Sequence, residues 1–348
     1  IGHLYPKVEI TADMAKGRPD LKPLLGQRLT VIAWLWARTV KSPNPAFAKI
    51  DVPLVSTFML STKDGKEAYV QPVIEDGGYR FTVKTGQPKD VEGAKNGTKL
   101  SRGANFRCVM SEAPIAPDYI KAEGKAGRMG ARLIAIVAEG KHCRVYLPPT
   151  DRMEGVARKA KPTWKPDTPL PADMRSHWTP PYGLTTYGDL FTDRQLVALT
   201  TFTDLVQEAR ERVKLDSGAD AASYSDAVAT YLAFALSKSV DGSSTICRWM
   251  VQRDSLFSTF SRQALPMTWD FAEVNLLADC TRSLSESVAW TAESVEGVAA
   301  GYGSSFGEST QPDATSQNIA CGKVVSTDPP YNDNIGYAAL SDFFYDWL

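Results

Sequence analysis

Six prolines fall between Lys161 and Pro181, and the run ends in Pro180-Pro181. Each proline lacks an amide proton and fixes φ, so neither a helix nor a strand interior can run through this stretch. The segment 161–181 therefore reads as a linker, and the chain on its two sides has different periodicity. Before it lie β-branched and aromatic runs. "LTVIAWLWARTV" (29–40) has the content of a buried strand. "VPLVSTFML", "KEAYVQPVI" and "YRFTVKTG" follow, separated by Asp64-Gly65 and Asp76-Gly77-Gly78, turn signals that predict an antiparallel meander. "ARLIAIVAEGKHCRVYLP" predicts a further hairpin.

Helical spacing takes over after the prolines. In "FTDRQLVALTTFTDLVQEARERV", Thr192 and Gln195 fit a capping box, Phe191 and Leu196 a hydrophobic staple, and Leu196, Leu199, Phe202, Val206, Ala209 and Val213 mark one face. "YSDAVATYLAFALSKSV" predicts a second, largely buried helix, "AEVNLLADC" a third and "SLSESVAWTAESVEGVAA" a fourth. Residues 301–318 read as a flexible connector, and "GKVVSTDPPY" returns to strand character. The expected organisation is a β-rich region over 1–160, the linker, a helical region over 182–300, the connector, and a last strand with its motif over 319–348.

With 348 residues, 43% of them hydrophobic, the chain can bury more than one core. No apolar run approaches the roughly 20 residues that span a bilayer, and the first residues lack a signal-peptide pattern, so the expectation is a soluble cytoplasmic protein without membrane contact. The five cysteines are far apart with no C-x-x-C pair and read as free thiols. His3, His142 and His177 are scattered and receive no catalytic role. The net charge of −1 conceals an asymmetry: Lys84 to Lys165 holds 17 Lys/Arg against 8 Asp/Glu, whereas Asp254 to Leu348 holds 3 against 13. A basic middle can follow a phosphate backbone, or can be a solvated lysine-rich surface. Within it, "GKAGRMGAR" (124–132) sets Lys125, Arg128 and Arg132 among three glycines, either a phosphate-contacting loop or an exposed turn, and Arg144 follows in the next strand. Trp164 and Trp178, in the proline-rich segment, are candidates for stacking on bases.

The sharpest motif is "VVSTDPPYNDNIGY" (324–337). A strand that delivers Asp328-Pro329-Pro330-Tyr331 to its carboxyl end places them where open α/β sheets bind ligands. The prolines remove two donors, leaving carbonyls and a carboxylate as acceptors aimed together. That array suits an exocyclic amino group. Acceptors on its hydrogens can draw the nitrogen towards tetrahedral geometry and point its lone pair at an incoming methyl, while Tyr331 stacks on an extruded base. A proline-stiffened turn is the alternative.

"TDPPYNDNIGYAALSDFFYDWL" resembles the amino-group DNA methyltransferase signature, in the branch of adenine-specific DNA methylases described as containing a Zn-ribbon. "LTVIAWLWARTVKSPNPAF", "EGKAGRMGARLIAIVAEG", "YGDLFTDRQLVALTTFTDLV" and "RQALPMTWDFAEVN" are also similar to segments of that family, so the resemblance covers nearly the whole chain. It implies an α/β fold, a partial Rossmann-like S-adenosylmethionine-dependent sheet with a large α+β insertion, β-rich in its N-terminal half and helical in its C-terminal half. It implies DNA as partner, S-adenosylmethionine as cofactor, and a place beside restriction or phage-defence proteins. Asp328, Pro329, Pro330 and Tyr331 would be catalytic, with Asp328 also at the cofactor; Asp270 and Glu273 would line the cofactor or base pocket, although by chemistry alone they are helix N-terminal acids. Lys125, Arg128, Arg132 and Arg144 would meet DNA. Two departures stand out. The family's F-x-G-x-G cofactor motif is absent, "GVAAGYGSS" (297–305) being only a glycine-rich linker, so the chain reads as an internal fragment that is inactive alone. The family's cysteine knuckles are replaced by Ser42, Phe47, Cys108 and Ser111, and one thiolate cannot hold tetrahedral zinc, so no metal is expected. Transfer to the cytosine amino group, or a non-enzymatic DNA-binding module, are the competing readings.

Overall fold

A computed structural model describes residues 1–75, 77–141, 143–216, 221–301, 310, 313, 315–328 and 336–348. Its organising element is the long strand β1 (Val31–Lys41), in which ten consecutive residues are buried. An antiparallel strand alternates inward and outward side chains unless both of its faces are covered. Here both are. β1 is the shared member of a five-stranded sheet: β6 (Gly130–Glu139) pairs along one side of it and carries β7 (Arg144–Leu147) beyond, while β2 (Asp51–Leu54) and β10 (Asp270–Val274) lie end to end along the other side, all antiparallel.

Alternation along β1 feeds two cores. Trp34 and Trp36 enter one with Leu133, Leu196, Leu199, Phe202, Phe271 and Phe343. Ala33, Leu35 and Ala37 enter the other with Phe58, Val70, Phe81, Val83 and Ala272. The second core is closed by a three-stranded sheet of β3 (Met59–Ser61), β4 (Ala68–Glu75) and β5 (Gly78–Thr85), with Gly77 at φ +79° just ahead of β5. The first is closed by helices α2 (Asp193–Asp216), α3 (Ala221–Asp241) and α5 (Tyr337–Tyr345), with α4 (Leu284–Gly301) packed on α3. A smaller cluster around Phe106, Ile120 and Trp269 seats helix α1 (Pro117–Lys125) at one end. The protein is thus mixed α and β with several antiparallel sheets, none closed into a barrel among the described residues. No described helix is long and apolar enough to cross a membrane.

The predicted meander, the β6–β7 hairpin and the capping box all appear. Thr192 N donates to Gln195 Oε1 (2.8 Å) and Gln195 N to Thr192 Oγ1 (3.2 Å). Four expectations do not. "AEVNLLADC" is not a helix: its start belongs to β10, which pairs with a strand more than 230 residues earlier, a partner that local periodicity does not reveal. The helical region also holds the hairpin of β8 (Arg248–Met250) and β9 (Ser255–Phe257). α3, expected to be largely buried, exposes Tyr224, Tyr231 and Phe234, because only its C-terminal turns reach the core through Leu236 and Val240. Residues 324–327 form no strand, and Val324 and Val325 are exposed. Most of the 301–318 connector lies outside the described residues.

The proline-rich segment packs closely. Leu170 and His177 are buried, Pro169 bridges to Thr186, and Trp164 meets Trp347 edge-on at 5.6 Å. Its prolines prevent regular structure without preventing contact.

Candidate functional site

Asp328 is exposed and follows the irregular residues 324–327; Pro329, Pro330 and Tyr331 lie outside the described residues. Downstream, the chain is firmly held. Phe343 stacks on Phe191 with ring centroids 5.4 Å apart, and Trp347 meets the same Phe191 edge-on at 5.1 Å. Thr168 Oγ1 donates to Asp346 Oδ1 (2.8 Å), and the Tyr187 hydroxyl donates to the Ala339 carbonyl. α5 is thereby clamped between the proline-rich segment and the start of α2, so the motif is tethered to the core on its C-terminal side.

Asp270 and Glu273, expected to line one pocket, sit on opposite faces of the sheet. On a helix an i, i+3 pair shares a face; on β10 the period of two separates them. Glu273 pairs in register with Trp34 and enters the helix-covered core. Fully buried, it accepts from Trp36 Nε1 (2.8 Å), Thr192 Oγ1 (2.7 Å), Arg194 Nε (3.0 Å) and Arg194 Nη2 (2.7 Å). Arg194, equally buried, also donates to the Leu4 carbonyl (3.1 Å) and lies 3.8 Å over the Trp34 ring. This is a structural clasp joining β10, β1, α2 and the N-terminal segment, with the carboxylate already surrounded by donors. Arg194 received no role from sequence, yet carried a signal: a cation in the first turn of a helix opposes the helix dipole and needs an acid elsewhere.

Asp270, on the other face, is half-buried, and its Oδ1 accepts from Ser56 N (2.9 Å). Burial pushes its carboxyl up to about 6, against the opposing effects of Ser56 and the Arg248 guanidinium.

The four basic candidates divide. Arg128 and Arg132 line one cleft of about 970 Å³, together with Lys41 and Arg158 but also with Asp51, Asp151 and Glu154. Arg128 is engaged by the buried Glu123 (Nη2 to Oε1 2.6 Å), and Arg132 lies 4.3 Å over the Tyr79 ring while donating to the Tyr79 carbonyl (3.1 Å). Lys125 is exposed at the end of α1. Arg144 pairs with Glu139, seven residues along β6 from Arg132, about 23 Å at strand spacing. The four do not form one patch. The glycines between them serve the fold: a Cβ on Gly124 would stand 2.2 Å from the Tyr182 carbonyl oxygen, and Gly127 takes φ +68° just beyond α1.

Two of the knuckle positions meet directly. Ser42 Oγ lies 3.3 Å from Cys108 Sγ, and both are buried. Burial pushes the Cys108 thiol up, but hydrogen bonds from Ser111, Ser42 and the amides of Met110 and Ser111 outweigh it and leave the thiol below its ordinary value. The contact the structure shows at this sulfur is the Ser42 hydroxyl, and the described residues contain no cluster of three or more acidic, cysteine or histidine side chains suited to a metal. Phe47 ends a short 3-10 turn and is half-buried.

Comparisons with protein-family models, with curated proteins and with solved structures find no match to this chain.

Proposed function

We propose that this chain is part of an amino-group DNA methyltransferase, acting on the exocyclic amine of adenine in DNA and belonging to a restriction or phage-defence system. The observation that carries the reading is the sequence string Asp328-Pro329-Pro330-Tyr331, which lies a few residues ahead of a helix docked on the core. On this reading Asp328 and the backbone carbonyl of the turn accept the amine hydrogens, Tyr331 stacks on the base, and catalysis rests on positioning and hydrogen bonding. Val324–Thr327 would be the strand of a Rossmann-like sheet, formed when neighbouring strands pair with it.

Asp270 and Glu273 do not fit S-adenosylmethionine as a pair, because they face different cores and Glu273 has its acceptors filled. No step is assigned to them. The same finding favours the second reading, a non-enzymatic DNA-binding module in which the Asp-Pro-Pro-Tyr turn is structural. Transfer of labelled methyl groups to DNA by the intact protein that carries this chain separates the two. The expected result is incorporation into adenine that Asp328→Ala lowers by at least about a hundredfold with an unchanged melting temperature. Activity of the variant within a few-fold of wild type sinks the catalytic assignment, and label in cytosine moves the substrate to that base.

A further inference from the structure

A second cavity, of about 560 Å³, opens where the end of the proline-rich segment meets the β8–β9 hairpin and the start of β10. That volume is typical of small-ligand clefts. Its walls are aromatic: Trp178, Trp249 and Trp269 line it with Phe257. Trp249 is held by its indole N–H, which donates to the Leu60 carbonyl (3.0 Å), and Trp269 by edge-on contacts with Phe106 and Tyr182. Trp178 is less confined; the Arg262 guanidinium lies 5.6 Å over its ring.

Lys99, Arg248 and Arg262 line the same cavity. Several other arginines of this protein that are packed against the fold have an acid beside them: Arg128 with Glu123, Arg194 with Glu273 and Arg282 with Asp241. Among the described residues, none of these three makes an ion pair or a side-chain hydrogen bond, and Arg248 and Arg262 repel each other closely enough to lower the Arg248 pKa further after burial has done so. Two guanidiniums and an ammonium brought together around one carboxyl, Asp270, leave an excess of positive charge and unfilled donors. Proteins hold like charges together where a ligand supplies the countercharge.

We infer that this cavity is a nucleotide site: the phosphate is taken by Arg248, Arg262 and Lys99, the base stacks against Trp178, and Asp270 accepts a hydrogen from the base's amino edge. An anion alone would not use the indoles, and an uncharged ring would not use the cations; a nucleotide uses both. The inference does not rest on the Asp328 motif, and its failure leaves methyl transfer standing.

Two sources share this chemistry, a free mononucleotide and a nucleotide within a single strand. Titration of the chain with adenosine monophosphate and with a short deoxyadenosine single strand, followed by tryptophan fluorescence, distinguishes them. Binding of the strand at least about tenfold tighter than the monomer supports a strand as ligand, and equal affinity supports the free nucleotide. In either case Trp178→Ala and Arg262→Glu should each lower affinity by roughly tenfold or more without shifting the melting temperature, Arg262 being exposed. Absence of binding at millimolar concentration overturns the inference. So does indifference to both substitutions, or inorganic phosphate binding as tightly as the nucleotide.

Discussion

Removing the Glu273 carboxylate tests whether it is a clasp or a ligand-binding group. In Glu273→Ala, Arg194 keeps its bond to the Leu4 carbonyl but loses its counterion with no water to replace it, since both side chains are essentially inaccessible. Breaking a buried pair from one side costs about 3–5 kcal/mol. The indole N–H of Trp36 loses its acceptor as well, adding about 1–3 kcal/mol, whereas the Thr192 hydroxyl, on a half-buried residue, can turn its proton to water. The sum, about 4–8 kcal/mol, is of the order of the whole stability of a typical domain. Urea unfolding followed by far-UV circular dichroism should find the variant largely unfolded or with a sharply lowered midpoint. Glu273→Gln keeps an acceptor and the shape, and should lose less. Adding Arg194→Met to Glu273→Gln should recover part of that loss, because both buried charges leave together, giving a coupling energy of at least about 1 kcal/mol in the cycle. A loss below about 1 kcal/mol in Glu273→Ala, or an additive cycle, would refute the clasp and return Glu273 to the pool of ligand-binding groups.

Asp270 should make stability depend on pH. Its folded-state carboxyl, at about 6, holds a proton more tightly than the ordinary carboxyl near 3.8, so the folded state is favoured below 3.8 and loses that advantage as pH rises through 6. The gap corresponds to at most about 3 kcal/mol. Asp270→Asn should therefore gain melting temperature over wild type above pH 7 and converge with it towards pH 4; parallel pH profiles would contradict this. Gly124→Ala should cost about 1–3 kcal/mol or more by pressing a methyl group into the Tyr182 carbonyl, and a thermal melt equal to wild type would show that α1 and the 180–183 turn can separate freely.

Local sequence carried what depends on neighbours in the chain. Turn chemistry announced the β4–β5 hairpin, Thr192 and Gln195 announced the start of α2, and the unbroken apolar run of β1 announced a strand covered on both faces, because each signal is complete within a dozen residues or so. The Asp-Pro-Pro-Tyr string was visible on the same terms. Side-chain direction across long separations was not. Residues 270–274 become a strand only because β1 offers an open edge, and that pairing sends Asp270 and Glu273 to opposite cores where a helix would have kept them together. Likewise the positive charge counted along the basic middle did not predict which cations would be neutralised. Arg128 and Arg132 are engaged by Glu123 and Tyr79, while Lys99, Arg248 and Arg262, spread over more than 160 residues of sequence, converge on one aromatic cavity. Charge is a property of residues and adds along the chain, but its availability depends on which neighbours the packed sheet brings within a few ångströms.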